Sequence, residues 1–198
     1  MHNNTRQLIL GSTSQPRADL LRRLLIPFEI AAPDIDETAL ENETPEQLVV
    51  RLAKEKAQAV AVKYPDALII GADQVGVLNG KIVGKPLTYE NCITQLQAAS
   101  GQRMDFFIGV CLLDARHKTE EIVLEKFTVI FRELTIDMIK NYLRKEEPFQ
   151  CAGSCKGEGL GIALIAEFIG EDYTALVGLP LIRLVQMLEH AGIDPLAY

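Results

Sequence analysis

The hydrophobic pattern of the chain alternates between strand-like and helix-like segments, which is typical of the α/β class. The continuous apolar run at residues 67–72 predicts a central strand that is buried on both faces. A shorter run at residues 7–10 predicts the first strand. Asn79-Gly80 separates two short apolar segments and predicts a two-residue hairpin turn. Further strands are predicted at residues 28–31, 75–78, 81–83, 104–113, 121–131 and 160–166.

Helices are predicted by apolar residues at helical spacing together with capping residues. Thr44 is suited to cap a helix, Pro45 fits its first position, and Gln47 completes a capping box. Pro16 stands where the first residue of an earlier helix is expected. The apolar stripe of that earlier helix is predicted to be Leu20, Leu21, Leu24 and Leu25. The remaining helices are predicted at residues 44–63, 88–99, 135–145 and 180–192.

The size and composition of the chain fit one globular domain. The chain has 198 residues, of which 48% are hydrophobic and 24% charged, an ordinary globular composition. It contains no long linker, internal repeat or low-complexity stretch. We therefore predict one compact domain over residues 1–198, two-lobed with a central cleft.

The charge of the chain disfavours nucleic acid as a partner. The formal net charge is −7 and the sequence has no basic stripe, whereas non-specific nucleic-acid binding needs several cooperating cations. An acidic protein binds a phosphate ligand only through a local cationic pocket or a metal. No stretch approaches the length of a membrane span. The polar residues 1–7 and the short apolar run after them do not resemble a signal peptide, so we expect a cytoplasmic protein with no membrane partner.

Cysteine and histidine spacing argues against several kinds of site. The four cysteines include no CxxC pair, and the three histidines lie far from one another. A zinc site of the usual spacing is therefore not expected, and the thiols are expected to be reduced and mostly buried. No Ser-His-Asp triad or thiol nucleophile is indicated.

The segment from Gly11 to Arg17 is the first candidate for binding an anion. It follows a predicted strand and begins a helix, where free backbone N–H groups attract anions. Ser12 and Ser14 add hydroxyl donors, and Arg17 adds a bidentate donor for phosphate. Arg17 falls on the same face of the helix as the leucine stripe, so it needs an anionic partner. The alternative is an arginine that reaches solvent or pairs with a structural carboxylate.

Lys56 lies in the middle of the apolar stripe predicted for the helix after Thr44. That stripe consists of Leu48, Val49, Leu52, Ala53 and Val60. A charge at such a position is costly unless it is paired. Lys56 is therefore a candidate functional residue, although a lysine whose stem runs along the core to reach water remains an alternative.

Acidic residues supply candidates for catalysis and metal binding. Asp73 follows the central apolar run, near the predicted carboxyl end of that strand, where α/β proteins place ligands. A carboxylate there can hold a metal or accept a proton from water. Asp34, Asp36 and Glu37 form an acidic group of the kind that Mg²⁺ or Mn²⁺ prefers. The alternatives are an aspartate in a strand-end turn and an acidic loop that is merely solvated.

Two further segments carry less specific signals. Lys85, in the tripeptide Gly-Lys-Pro after the hairpin, could reach a phosphate. The glycine-rich segment 151–161 indicates close backbone approach. Its spacing is not that of a dinucleotide-binding GxGxxG motif, and the chain has no Walker A sequence.

Taken together and in order, the motifs LILGSTSQPR, DIDET, RLAKEKA, LIIGADQV, GKPLT, CAGSCKGEGLGI and LVGLPL resemble the Maf family of nucleoside triphosphate pyrophosphatases. The resemblance covers nearly the whole chain. It implies a mixed central sheet flanked by helices, as in inosine-triphosphate pyrophosphatases, with the site in the central cleft. It also implies a divalent cation (Mg, Mn or Co) and a homodimer.

The resemblance further implies roles for individual residues. Asp73 would be the general base, and Ser12, Arg17, Glu37, Lys56 and Lys85 would line the phosphate and metal site. In the implied reaction, water attacks the α-phosphorus of a nucleoside triphosphate and releases pyrophosphate.

Substrate specificity within the family is expected to depend on the positions of Pro16, Gln74 and Glu158. Gln74 and Glu158 look like the subgroup that acts on 7-methyl-GTP. A carboxylate can accept two hydrogen bonds from guanine. The positive charge of a base methylated at N7 also favours a carboxylate as its partner. A pyrimidine offers neither this pair of donors nor this charge. That subgroup has a tryptophan at the position of Pro16, and the family often has a second arginine where Ala18 stands.

Two other functions are compatible with the same motifs. One is a pyrophosphatase for dTTP, UTP or other non-standard nucleotides. The other is a non-catalytic nucleotide-binding regulator of cell division. A water-activating Asp73 together with metal-suited acids favours an enzyme over a regulator that only binds.

Overall fold

A computed structural model describes residues 6–197. Of the polar N-terminal segment considered above, residues 1–5 lie outside the described residues. The strands are β1 (Leu8–Gly11), β2 (Glu29–Ile30), β3 (Leu68–Leu78), β4 (Lys81–Val83), β5 (Arg103–Asp114), β6 (Thr119–Phe131) and β7 (Ile165–Ile169). The helices are α1 (Gln15–Arg22), α2 (Pro45–Ala61), α3 (Tyr89–Ala99), α4 (Ile136–Glu146), α5 (Tyr173–Val177) and α6 (Leu181–His190). Within residues 6–197, no helix has the length and apolar character that a membrane span requires.

The strands form one mixed sheet. Six of them are hydrogen-bonded in the order β2-β1-β3-β5-β6-β7, and β4 pairs with β3. Strand β1 is parallel to both β2 and β3, whereas β4 is antiparallel to β3 and β7 is antiparallel to β6. The predicted fold class, a mixed α/β sheet flanked by helices, is confirmed.

The predicted hairpin is present between β3 and β4. Asn79 and Gly80 have φ angles of 50° and 74°, the left-handed values that a type I′ turn requires at both positions.

Strand β3 is longer than predicted, and this corrects the position of Asp73. Residues 75–78 are the continuation of β3 and not a separate strand. Asp73 therefore lies inside the strand and not near its carboxyl end. The parallel pairing with β1 stops at the pair Gly11–Gly71, and β3 continues because β4 pairs with its second half. Asp73 thus follows the end of the parallel pairing rather than the end of the strand.

The described residues form two compact units, the first containing residues 6–74, 108–125 and 178–197 and the second containing residues 75–107 and 126–177. A single domain over the whole chain stays a prediction. In the first unit, α2 packs on the sheet. The core of this packing consists of Ile9, Ala53, Ala57, Val60, Ala67, Ile69, Cys111 and Leu113.

Two glycines allow α2 to lie directly on the sheet. A Cβ at Gly71 would be 2.0 Å from the carbonyl oxygen of Ala53, and a Cβ at Gly109 would be 2.3 Å from that of Val49. Both distances are far below van der Waals contact, and both neighbours are helix backbone. The two positions therefore require glycine if α2 is to keep its distance from β3 and β5.

Helix α2 begins as its sequence predicts. Thr44 and Gln47 form both hydrogen bonds of the capping box. Helices α3 and α4 likewise begin after threonines whose hydroxyls accept a backbone N–H bond. These local signals are independent of the tertiary fold, and all three helix starts were predicted within one or two residues.

The first helix is shorter than predicted. Helix α1 ends at Arg22, so Leu24 and Leu25 lie beyond it and do not extend its buried stripe. Leu25 has a φ angle of 58° and is 83% exposed. After Arg22 the chain turns more tightly, because the N–H groups of residues 23–25 each donate to the carbonyl oxygen three residues earlier. Pro27 then disfavours helical conformation at Ile26.

The strand predicted at residues 160–166 starts later than predicted. Leu160–Leu164 form a 3-10 helix, and β7 begins only at Ile165. The N–H groups of Gly159 and Gly161 both donate to the carbonyl oxygen of Lys156. This tight turn holds the start of the segment out of an extended conformation. The short helix α5 (Tyr173–Val177) was not predicted.

Candidate functional site

Lys56 is the buried centre of a group of charges in the first unit. Its side chain is only 6% exposed, as its place in the apolar stripe of α2 predicts. Its Nζ donates to Oδ1 of Asp73 at 2.6 Å and lies 2.8 Å from Oε1 of Glu37. One ammonium group therefore holds two carboxylates from separate segments of the chain.

The contact between Lys56 and Asp73 follows from the way α2 packs on β3. Side chains two residues apart in a strand share a face, so Asp73 lies on the same face as Gly71. That face is the one covered by Ala53 and Ala57 of α2. The close approach at Gly71 therefore brings Lys56, on the same helix, to Asp73. Asp73 is itself only 7% exposed.

Arg17 completes the group of charges. Its Nε donates to the carbonyl oxygen of Gly178 at 2.9 Å, and its Nη1 donates to Oγ of Ser12 at 3.3 Å. Burial lowers the pKa of Arg17 below the ordinary arginine value, while the negative charges of Asp73 and Glu37 oppose that shift. The guanidinium of Arg17 has five N–H donors. Two of its nitrogens, Nε and Nη1, donate to acceptors among the described residues, so donors remain for an anion.

Ser12 and Ser14 lie where the anion-binding prediction placed them. Ser12 is buried, and its Oγ accepts a hydrogen bond from the backbone N–H of Ser14 at 3.2 Å. Ser14 precedes α1, and its hydroxyl makes no capping bond to that helix. Pro16 lies in the first turn of α1 and is partly buried. The start of α1 thus presents hydroxyl groups next to the Arg17 guanidinium.

Gly178 was not among the residues predicted for the site. It has a φ angle of 108°, which favours glycine, and a Cβ there would be 3.2 Å from Nε of Arg17 and 3.3 Å from Oε1 of Gln74. The absence of a side chain therefore lets Arg17 reach the carbonyl oxygen. The available signal was the Gly-Leu-Pro sequence just before α6, which appeared above only as part of a family motif.

The two carboxylates on Lys56 fit a hard divalent cation. Within residues 6–197, no group of three or more His, Cys, Asp or Glu side chains is placed to hold a metal. Magnesium is commonly held by one or two carboxylates, with the rest of its ligands from water and substrate phosphates. Glu37 and Asp73 match that smaller set. Asp36 instead accepts the backbone N–H of Thr38 at 2.9 Å, and its hydrogen bonds with Thr38 lower its pKa.

The remaining predicted residues are Lys85 and Glu158, which lie in the second unit. Both side chains are exposed. Glu158 lies in the glycine-rich segment, whose glycines do approach neighbouring groups closely. A Cβ at Gly153 would be 2.6 Å from the sulfur of Met104, and one at Gly161 would be 2.4 Å from the carbonyl oxygen of Lys156. The roles of Lys85 and Glu158 stay predictions.

Comparisons with known proteins identify the relatives of the chain. The model of the family described as "Maf-like protein" matches residues 7–191. A 7-methyl-GTP pyrophosphatase of Nitrosococcus oceani is 56% identical over 93% of both chains. A 7-methyl-GTP pyrophosphatase of Nitrosospira multiformis is 53% identical over 95% of both chains.

Among solved structures, the Ham1 protein of Staphylococcus aureus is 17% identical, with a TM-score of 0.46 over 65% of this chain and 73% of that one. The family match extends over almost all described residues and includes every element that supplies the charged group around Lys56. The chain therefore belongs to the family of Maf-like proteins.

Proposed function

We propose that this protein hydrolyses 7-methyl-GTP to 7-methyl-GMP and pyrophosphate with the help of a divalent cation. The observation that carries the proposal is the group formed by Lys56, Asp73, Glu37 and Arg17, in which two cations and two carboxylates meet around a buried Lys56–Asp73 ion pair. Both relatives described above, at more than 50% identity over nearly their whole length, are named 7-methyl-GTP pyrophosphatases.

In this proposal the cations bind the triphosphate. The free donors of Arg17 and the hydroxyls of Ser12 and Ser14 bind phosphate oxygens. Lys56 neutralises charge that develops during the displacement, and Lys85 adds a further cation. Because Arg17 is already fixed by Gly178 and Ser12, little reorganisation is needed when the substrate binds.

Asp73 is the proposed general base. It orients a water molecule for attack on the α-phosphorus and accepts its proton, and pyrophosphate leaves. Glu37 and Asp73 would hold the divalent cation (Mg, Mn or Co), which would lower the pKa of bound water and stabilise phosphate charge. In the absence of substrate, Lys56 and Arg17 together balance the negative charges of Asp73 and Glu37, so the group carries no net negative charge that would repel the incoming triphosphate.

Base recognition is the proposed role of Glu158 and Gln74. The Glu158 carboxylate would accept two hydrogen bonds from the guanine edge, a contact worth about 1–3 kcal/mol of discrimination. Its negative charge favours the cationic 7-methylated base over neutral bases. Pro16 lies near the start of α1 and offers no aromatic face. We also propose that the protein acts in the cytoplasm and as a homodimer, as is implied by its family resemblance.

The test is the variant Asp73→Asn, which preserves the shape of the side chain and removes its charge. We expect pyrophosphate release from 7-methyl-GTP to fall by at least about 100-fold, the lower range for loss of a general base. Asp36→Asn is the matched control, because Asp36 is an exposed acid in the loop that precedes α2. It should leave turnover nearly unchanged. An Asp73→Asn enzyme with normal turnover would refute the general-base role.

A panel of triphosphates assayed with Mg²⁺, Mn²⁺ or Co²⁺ separates the alternatives. Hydrolysis of 7-methyl-GTP ahead of UTP and dTTP supports the proposal. Preference for a pyrimidine triphosphate would indicate a different specificity with the same chemistry, and binding without pyrophosphate release would indicate a regulator.

A further inference from the structure

We propose that the ring of Tyr173 stacks on the methylated base and is the aromatic specificity residue of this protein. This inference rests on the proposed function and deepens it, since it names the group that faces the base. The chain contains no tryptophan, and Pro16 supplies no aromatic ring. The observations that carry the inference all lie within the second unit.

The first observation is the exposure of Tyr173. Its side chain is 41% exposed at the start of α5. Its hydroxyl donates a hydrogen bond to the carbonyl oxygen of Gly157, the residue immediately before Glu158. One aromatic ring is therefore fixed to the backbone of the turn that presents the predicted base-reading carboxylate. Burial raises the pKa of Tyr173, and the nearby negative charge of Glu158 raises it further.

The second observation is that the ring is held in place. Phe168 packs against it with ring centroids 5.4 Å apart, and Phe127 with centroids 6.3 Å apart, both in an edge-on arrangement. Edge-to-face contacts are one of the two favoured packing arrangements of aromatic rings. The ring is thus fixed by two neighbours and a hydrogen bond, yet it remains partly open to solvent.

The third observation is that the turn bearing Glu158 is rigidly anchored while its carboxylate points outward. The backbone N–H of Lys156 donates to the hydroxyl of Tyr142 at 3.0 Å. The carboxylate of Glu146 accepts from Nζ of Lys156 at 2.7 Å and from the N–H of Leu160 at 2.6 Å. Glu158 itself is exposed. A well-anchored turn with an exposed acidic side chain is suited to recognise a ligand.

The chemistry of the base explains why a ring and a carboxylate belong together. Guanine methylated at N7 carries a positive charge, and cations are attracted to the face of an aromatic ring. The same cation is attracted to Glu158. A pyrimidine such as uracil has no such charge, so the pair of residues discriminates in favour of the methylated purine.

The experiment measures the binding of nucleoside monophosphates, which contain no anhydride bond and so report base recognition separately from hydrolysis. Dissociation constants for 7-methyl-GMP and UMP are measured by calorimetry for the unsubstituted protein, Tyr173→Phe and Tyr173→Leu. We expect Tyr173→Leu to weaken 7-methyl-GMP binding by about 5- to 20-fold, the range of a cation–π contact, with a much smaller effect on UMP. Tyr173→Phe retains the ring and should bind both ligands almost normally.

The controls separate recognition from folding. Tyr89→Leu, at the start of α3, replaces another partly buried tyrosine of the second unit and should leave both dissociation constants unchanged. Thermal unfolding of each variant reports its stability. If Tyr173→Leu weakens both ligands equally, if Tyr173→Phe is as defective as Tyr173→Leu, or if the unsubstituted protein does not bind 7-methyl-GMP at millimolar concentration, the inference is wrong. A protein that binds 7-methyl-GMP through Tyr173 but cleaves no 7-methyl-GTP would instead overturn the proposed function alone.

Discussion

Lys56 and Asp73 form a 2.6 Å ion pair in which neither side chain is more than 10% exposed. A second carboxylate, Glu37, lies 2.8 Å from the same ammonium, and its side chain is 59% exposed. The group therefore extends from the interior of the first unit to solvent. A charge buried in this way is tolerated only with its partners in place.

The ion pair predicts a coupled effect on stability. Lys56→Met should reduce the free energy of unfolding by about 3 kcal/mol, because it leaves the Asp73 charge buried without its nearest partner. Asp73→Asn should have a smaller effect, since Lys56 keeps Glu37. The double variant, Lys56→Met with Asp73→Asn, should therefore be more stable than Lys56→Met alone. The free energies of unfolding of all three variants are measured by urea denaturation.

Lys54→Met is the matched control for that experiment. Lys54 pairs with Glu120 on the surface, where its side chain is 41% exposed. Its replacement should change stability by less than about 1 kcal/mol, as for most exposed ion pairs. Strict additivity of the Lys56 and Asp73 effects would contradict the coupling.

Gly71 is predicted to tolerate no side chain. Gly71→Ala would place a methyl group 2.0 Å from the carbonyl oxygen of Ala53, so α2 must move away from β3. We expect a loss of about 3 kcal/mol or more in unfolding free energy, at the upper end for overpacking. Activity should fall as well, because Lys56 would move relative to Asp73. Gly84→Ala has open space around its Cβ and should unfold like the original protein, as followed by circular dichroism.

Glu158 is predicted to set the choice of base. Glu158→Gln should lower kcat/KM for 7-methyl-GTP and raise the relative rate with UTP or dTTP, since an amide lacks the charge that attracts a cationic purine. The expected change in the ratio is about 10-fold, from the 1–3 kcal/mol of a good bidentate base contact. Glu167→Gln, an exposed acid in β7, is the control. An unchanged ratio in Glu158→Gln would refute the carboxylate-reading role.

The cysteines are predicted to be unreactive in the folded protein. Burial raises the pKa of Cys151 to about 11 and the pKa values of Cys111 and Cys155 to about 12. At pH 8 a thiol with a pKa near 11 is about 0.1% thiolate, and only the thiolate reacts. Alkylation by iodoacetamide at pH 8 should therefore be slow in buffer and fast in urea, as followed by mass spectrometry.

The same thiols predict a dependence of stability on pH. Their pKa values are higher in the folded state than in the unfolded state, so their contribution is fully present below about pH 8.5, the ordinary thiol pKa. It is lost as the pH rises from there towards 12, because the unfolded chain then releases protons that the folded chain retains. Urea midpoints should fall between pH 9 and pH 11, and a Cys155→Ala variant should show a smaller decline.

The elements that were correctly predicted are those whose signals are local. The threonine caps of α2, α3 and α4, the Asn79-Gly80 turn and the buried apolar run of β3 each depend on a few neighbouring residues. Lys56 was also placed correctly, because a single charge in a helical apolar stripe is visible in sequence.

Most errors occurred where pairing or contact with another segment decides the conformation. Strand β3 continues past Asp73 because β4 pairs with it. Gly178 was missed for a similar reason, since its partner Arg17 lies 161 residues earlier. Neither pairing of strands nor contact across such a separation can be deduced from periodicity. The 3-10 helix at residues 160–164 is a local exception, because there the N–H groups of two nearby glycines donate to the carbonyl oxygen of Lys156, a turn that the apolar pattern does not show.

The discontinuous composition of the first unit has a consequence for synthesis on the ribosome. Its residues 6–74 and 108–125 are made long before residues 178–197, which contribute α6 and the Gly178 carbonyl that accepts Arg17. The nascent first unit therefore has an incomplete anion site until translation has passed Gly178. Folding of this unit is expected to finish only late in translation, and a triphosphate should be unable to stabilise earlier nascent chains.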